Sequence, residues 1–168
     1  MKVIPAVEVN LLLQEQNAHE VEDIIEYARR TGVSVQVIEL VGTDSNAGLG
    51  KKISSAAFSA WLRTMARDEQ VITSGTGQGK RVFTLDPITV EVIDAGLGRH
   101  HVGQCATCPE QAQCTEGFWA LRLDSAGALA PCLLRPDLRL DITGTVADPA
   151  ALTAAVSAHL EAFTEGTL

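Results

Sequence analysis

Between residues 2 and 40 the hydrophobic pattern changes period twice. Residues 2–9 (Lys-Val-Ile-Pro-Ala-Val-Glu-Val) are mostly apolar and predict a strand, with Pro5 weakening its first half. Val21, Ile24, Ile25 and Ala28 then recur at helical spacing, behind a capping-box-like Asn17 and Glu20 and ahead of the helix stop Gly32. Residues 33–40 are nearly continuously apolar, interrupted mainly by Gln36 and Glu39, as in a strand buried on both faces of a parallel sheet. Together they predict a β-α-β unit. Two parallel strands do not stand alone in water, so this stretch reads as the end of a larger α/β sheet or barrel.

Further along, a glycine-rich loop occupies residues 42–50, and Phe58, Trp61, Leu62 and Met65 share one face of a helix predicted over about 55–67. Residues 81–85 and 88–93 predict a hairpin around Asp86-Pro87, and residues 121–123 and 129–133 bracket a turn at Ser125-Ala126-Gly127. Asp148-Pro149 predicts a helix start with proline in its first position, followed by a stripe of Leu152, Ala155, Val156, Leu160 and Phe163. There is no internal repeat.

Composition narrows the function classes. With aromatics at 4% of the 168 residues, any core must be built from aliphatic side chains. Thirteen Lys and Arg against 21 Asp and Glu give a net charge of −8, which argues against nucleic acid as a partner, because phosphate-backbone affinity rests on cations. No apolar run reaches the ~18 residues of a membrane span, and residues 1–13 lack the features of a signal peptide. The expected location is the cytoplasm. In a reducing compartment cysteines ligate metals more often than they pair.

The chain has four cysteines, spaced Cys105-x2-Cys108-x5-Cys114-x17-Cys132, with Pro131 before the last. A tight pair with two further thiols nearby is the donor pattern of an iron–sulfur cluster or a zinc ion, and spacing alone leaves both open. His100-His101 precede the quartet and admit a mixed Cys/His site; otherwise they are polar loop residues beside the metal. The run from Ser74 to Lys80 lacks phosphate-loop spacing and precedes a strand, so it predicts a plain connection. Glu8, Asn10 and Glu39 are expected at or near the C-terminal ends of the two strands, where barrels carry their sites, unless they are merely polar strand ends.

One stretch has a specific likeness. Leu121-Arg122-Leu123-Asp124-Ser125-Ala126-Gly127-Ala128-Leu129-Ala130-Pro131-Cys132-Leu133 resembles the Asn-Arg-Leu-Arg-Leu-Thr-x-Asp-Gly-x-Leu-x-Pro-Cys-Leu stretch of the radical S-adenosylmethionine (SAM) GTP 3′,8-cyclase family, which opens molybdenum-cofactor biosynthesis. Val7-Glu8-Val9-Asn10, the helix at residues 20–28 and Val37-Ile38-Glu39-Leu40 are similar to that family's last two barrel repeats. The resemblance implies an α/β fold in two parts: residues 1–70 as the end of a radical-SAM (β/α) barrel, and residues 71–168 as a β-rich auxiliary iron–sulfur ("twitch", SPASM-like) domain with a C-terminal helix. It implies a [4Fe–4S] cluster on Cys105, Cys108 and Cys132, the family's three ligands, with an iron open to the guanine of the substrate. It also implies substrate-side roles for Arg122, Asn10 and Glu39, and a nucleotide as possible substrate.

The chain departs from that family in four places. Residues 109–118 intervene after the cysteine pair and add Cys114, whose joining would close the cluster to exogenous ligands. Ala120 stands for the first arginine of the stretch, leaving Arg122. Glu8 stands where a lysine holds the triphosphate, and a carboxylate cannot make that contact. The SAM-cleaving Cys-x3-Cys-x2-Cys is not in the sequence, so the expectation is a cluster-binding, substrate-side half, inactive alone and completed by a radical-SAM half or paired through the strand at residues 2–9. The alternative is a non-catalytic module stabilised by zinc or a cluster.

Overall fold

The computed structural model describes residues 7–41, 53–73, 78–98, 100–112 and 114–168; the glycine-rich stretch at 42–50 and residues 74–77 lie outside them. The chain divides into two compact units, Met1–Thr73 with Gly79–Gly98, and Ser74–Gln78 with Arg99–Leu168.

The first unit is an α/β layer. Strands β1 (Glu8–Leu13), β2 (Ser34–Glu39), β3 (Asp68–Ile72), β4 (Lys80–Thr84) and β5 (Thr89–Ile93) form one sheet in the order β1-β2-β5-β4-β3. β1, β2 and β5 are parallel, whereas β4 and β3 run antiparallel beyond them. Helix α1 (Val21–Thr31) makes the crossover from β1 to β2, and Gly32 ends it in the left-handed conformation at φ 72°, as a stop glycine should. Helix α2 (Ser55–Arg63) starts from Ser54, whose hydroxyl accepts the Ala56 N–H. Val35, Val37, Phe83, Val90, Val92 and Leu62 are all within 1% of complete burial and centre the core.

Several details differ from the sequence expectation. The parallel pair is not left two-stranded, because the hairpin β4–β5 docks β5 against β2 with Val35 opposite Val90 and Val37 opposite Val92. β1 runs on through Leu11-Leu12-Leu13, paired residue for residue with 34–39, so Asn10 sits inside the strand and not near its C-terminal end. Asn17 does clamp the chain, but as the third residue of a 3-10 turn at Glu15–Glu20: its Oδ1 accepts the Gln14 N–H at 3.1 Å. α2 ends at Arg63, four residues short of the predicted end. β3 went unpredicted because Asp-Glu-Gln opens it and it is mostly exposed. It is tied in by charge: Glu69 bridges Arg63 (2.7 Å) and Arg81 (3.0 Å), and Arg81 also binds Asp94 (2.9 Å).

The second unit has shorter elements. β6 (Arg122–Leu123), β7 (Ala128–Ala130) and β8 (Leu140–Asp141) make an antiparallel ribbon in sequence order, and α3 (Pro149–Glu165) closes the chain. Asp148 caps α3 by accepting from Ala150 and Ala151, as the Asp-Pro start predicts. The turn between β6 and β7 is built by Asp124, whose Oδ1 accepts the Ala126 and Ala128 amides at 2.9 Å. Among the described residues no helix is long and apolar enough to cross a membrane.

Candidate metal centre

The cysteine spacing has a backbone cause. From Val102 onward the chain makes successive three-residue turns: the Cys105 N–H donates to Val102 O, Cys108 to Cys105 O, Gln111 to Cys108 O, and Cys114 to Gln111 O, at 2.8–3.3 Å. Cys105, Cys108, Gln111 and Cys114 recur at that three-residue step, and all four line one cavity. The x2 and x5 gaps are one and two steps of the same period.

Cys132 arrives from the ribbon. β7 ends at Ala130, the fully buried Pro131 follows, and Cys132 enters the same cavity. Two glycines permit the close approaches that hold these segments. At Gly103 a side chain would collide with Thr164 O and Glu165 C of α3, both 2.5 Å from its Cβ position, so the start of the turn run rests on the helix end. Gly117, at φ 69°, lies against the His100 backbone, and the Phe118 N–H donates to His100 O at 2.7 Å. His101, Gly117, Phe118, Leu134 and Phe163 complete the cavity wall, with Phe118 and Phe163 in ring contact at 5.3 Å.

The cavity has about 350 Å³ of empty space, part of it open to solvent. Among the described residues, no group of three or more His, Cys, Asp or Glu is placed to hold a metal ion. The four thiols share the lining of one cavity. Thiolates are donors for zinc and for iron–sulfur clusters alike.

Burial and one cation shape the electrostatics of the cavity. Burial pushes the Cys132 thiol up; the Leu134 and Arg135 amides pull it down, and the Cys114 and Cys108 sulfurs push it further up. The Arg135 guanidinium, raised first by Asp137, which it binds at 2.6 Å, also interacts with the Cys108 sulfur. One buried polar atom in the wall has no partner: Nε2 of His101. An imidazole nitrogen so stripped of water costs about 1–3 kcal/mol.

The other sequence-predicted residues fall elsewhere. Arg122 is held by Glu116, Nη2 to Oε2 at 2.7 Å, with its guanidinium 5.2 Å over the Trp119 ring. Glu116 is buried and belongs to the intervening segment at 109–118. Glu39 and Asn10 are in the first unit: Glu39 Oε1 accepts the Ser55 N–H at 2.7 Å at the start of α2, and Asn10 is exposed on β1 opposite Gln36. Lys80 binds Glu91 at 2.6 Å. The reading from sequence overlooked Arg135, although its place three residues after Cys132 was a signal, and it overlooked the apolar wall, for which there was none.

No family model matches the chain. Curated relatives do. A protein named "Probable GTP 3′,8-cyclase" from Methanothermobacter marburgensis is 29% identical over 145 residues, 84% of this chain and 43% of the relative. Proteins of the same name from Methanothermobacter thermautotrophicus (30% over 139 residues) and Methanococcus vannielii (24% over 135) each cover 80% of the chain. The chain spans about two fifths of the length of these relatives.

Proposed function

We propose, from a chain related in sequence to the GTP 3′,8-cyclases over about four fifths of its length, that the second unit holds a [4Fe–4S] cluster on Cys105, Cys108, Cys114 and Cys132. In this reading the protein serves molybdenum-cofactor biosynthesis as the cluster-bearing, substrate-side part of a cyclase-type enzyme. The observation that carries the reading is the convergence of all four thiols of the chain on one cavity.

With Cys114 among the ligands every iron of the cube has a thiolate, so the cluster carries electrons or holds the unit together and does not bind substrate directly. That is the consequence of the segment that sets this chain apart. The same segment supplies Glu116, which neutralises Arg122, the one arginine left of the family's pair. Phosphate recognition by Arg122 would require breaking a partly buried ion pair, so a nucleotide substrate is expected to be held by other groups. SAM cleavage, in this reading, belongs to a complementing radical-SAM half. Among the described residues β1 is an edge strand, with Val9 and Leu12 exposed, and such a half would add a strand there. The compartment proposed is the cytoplasm.

The test is metal identity. Anaerobically reconstituted protein should be brown and hold about four irons per chain with matching sulfide. Colourless protein with one zinc would replace the cluster reading by that of a zinc-stabilised module. Cys114→Ala distinguishes the two cluster forms: loss of the cluster marks a closed site, whereas a retained cluster whose EPR signal shifts with GTP marks an open iron.

A further inference from the structure

The proposed cluster leaves the His101 imidazole of its cavity without a role. His101 lines the wall together with the four cysteines, and its Nε2 is buried with no hydrogen-bond partner. Its neighbours in that wall, Phe118, Phe163 and Leu134, offer an imidazole nothing to bond through their side chains. Nor is the ring there by chance of a loose loop. The preceding residue is fixed by the Phe118 N–H to His100 O bond and by its close backbone contact with Gly117, where a Cβ would meet it at 3.0 Å.

We propose that His101 donates a hydrogen bond from Nε2–H to a sulfur of the cluster, an inference that rests on the cluster reading above. Four thiolates already occupy the four iron positions, so the imidazole acts as a donor to sulfur and not as a ligand to iron. The sulfurs of a cluster are electron-rich acceptors, and hydrogen bonds to them are one of the levers that set its potential. The bond strengthens when the cluster gains an electron, so His101 raises the reduction potential. Arg135 beside Cys108 works in the same direction as a positive charge. The role requires the tautomer with its proton on Nε2, which the unpartnered state of that atom leaves free to form.

The experiment compares full-length, anaerobically loaded wild-type protein with His101→Phe, His101→Gln and, as control, His100→Ala. With about four irons retained, His101→Phe should lower the midpoint potential by about 59 mV for each tenfold loss in the one-electron reduction equilibrium, and one such step is expected. His101→Gln, which keeps an N–H donor, should fall between, and His100→Ala should match wild type. A loaded His101→Phe protein with the wild-type potential overturns the inference and leaves the cluster reading intact. Wild-type protein that takes up no iron sinks both. Should His101→Phe fail to load, wild-type protein with 15N-labelled histidine decides. Electron–nuclear double resonance of the reduced cluster should show an exchangeable proton and a weak nitrogen coupling, while no coupling, or the strong coupling of a directly bound nitrogen, overturns the donor role.

Discussion

The two units are ordered by different physics. In the first, the hydrophobic core is built from a five-stranded sheet, its helices and the turn residues Leu85 and Ile88, and the central strands put valine against valine. In the second, among the described residues, the buried apolar side chains reduce to Cys114, Ala130, Pro131, Leu138, Ile142 and Phe163, and no strand exceeds three residues. That is little burial for some seventy residues, and the proposed cluster would add folding free energy there. The other interactions that hold the second unit are local: the three-residue turns, the Asp124 clamp, and the ion pairs Arg122–Glu116 and Arg135–Asp137. The same chain thus pairs a unit that hydrophobic burial can hold with one whose four thiols converge on a cavity.

The largest expected effect follows from that contrast. Chelating the iron, or Cys132→Ser, should collapse amide protection across residues 100–135, a loss on the order of several kcal/mol of local stability, because ligand binding to the folded form is folding free energy. Protection in β2, β4 and β5 should persist. Hydrogen exchange followed by mass spectrometry reads both halves in one experiment, and equal loss in the two units would erase the distinction.

The converse perturbation comes next. Phe83 is completely buried among the sheet's aliphatics. Phe83→Ala should destabilise the first unit by about 3–5 kcal/mol through lost transfer energy and the cavity left behind. Iron content after reconstitution should stay at the wild-type value. A variant that loses iron along with its sheet would mean the second unit has no independent hold on its cluster.

How much of this was legible in the sequence follows the same division. The β-α-β start was readable because Val21, Ile25 and Ala28 keep a helical period and the 33–40 run keeps none. The five-stranded sheet was not, since pairing β5 with β2 joins residues 55 apart, and no local pattern encodes a partner that distant. β3 was invisible for a different reason: ion pairs, not alternation, hold an edge strand of Asp68, Glu69 and Gln70. At the candidate centre the four cysteines announced themselves by type and spacing. The three-residue turn period that explains the spacing was there to read. The role of Glu116 was not, because charge pairing across a turn depends on where Trp119 and Arg122 point.

A smaller effect is expected at that pair. Arg122→Leu leaves the buried Glu116 carboxylate without its 2.7 Å partner, which should cost about 1–3 kcal/mol in the second unit. Arg122→Leu combined with Glu116→Leu should recover most of it, as replacing both partners by apolar groups often does. Denaturant melts of the loaded protein check this; a double variant no better than the single would mean that Arg122 has another task.

The smallest effect is a pH response in the first unit. The Arg63 guanidinium bonded to Glu69 holds its carboxyl below the usual carboxylate range; burial opposes this, and Arg81 adds to it. A carboxylate with a lower pKa folded than unfolded adds stability that is complete above the unfolded value and is lost as pH falls through the folded one. The denaturant midpoint of β3 and β4, read by hydrogen exchange, should therefore decline on acidification below about 4.5, the ordinary value for the group. Glu69→Gln should cost about 0.5–1 kcal/mol at neutral pH, the scale of exposed ion pairs, and should flatten that decline. Asp124 in the second unit is also depressed, first by the Ala128 amide, and shares the sign, but its partners are backbone groups of its own turn and Arg139, all in that unit. Glu69→Gln should leave the acid response of that turn unchanged. A Glu69→Gln protein with the wild-type acid slope in β3 would show that this strand is held by its ladder alone and that charge does not separate the two units.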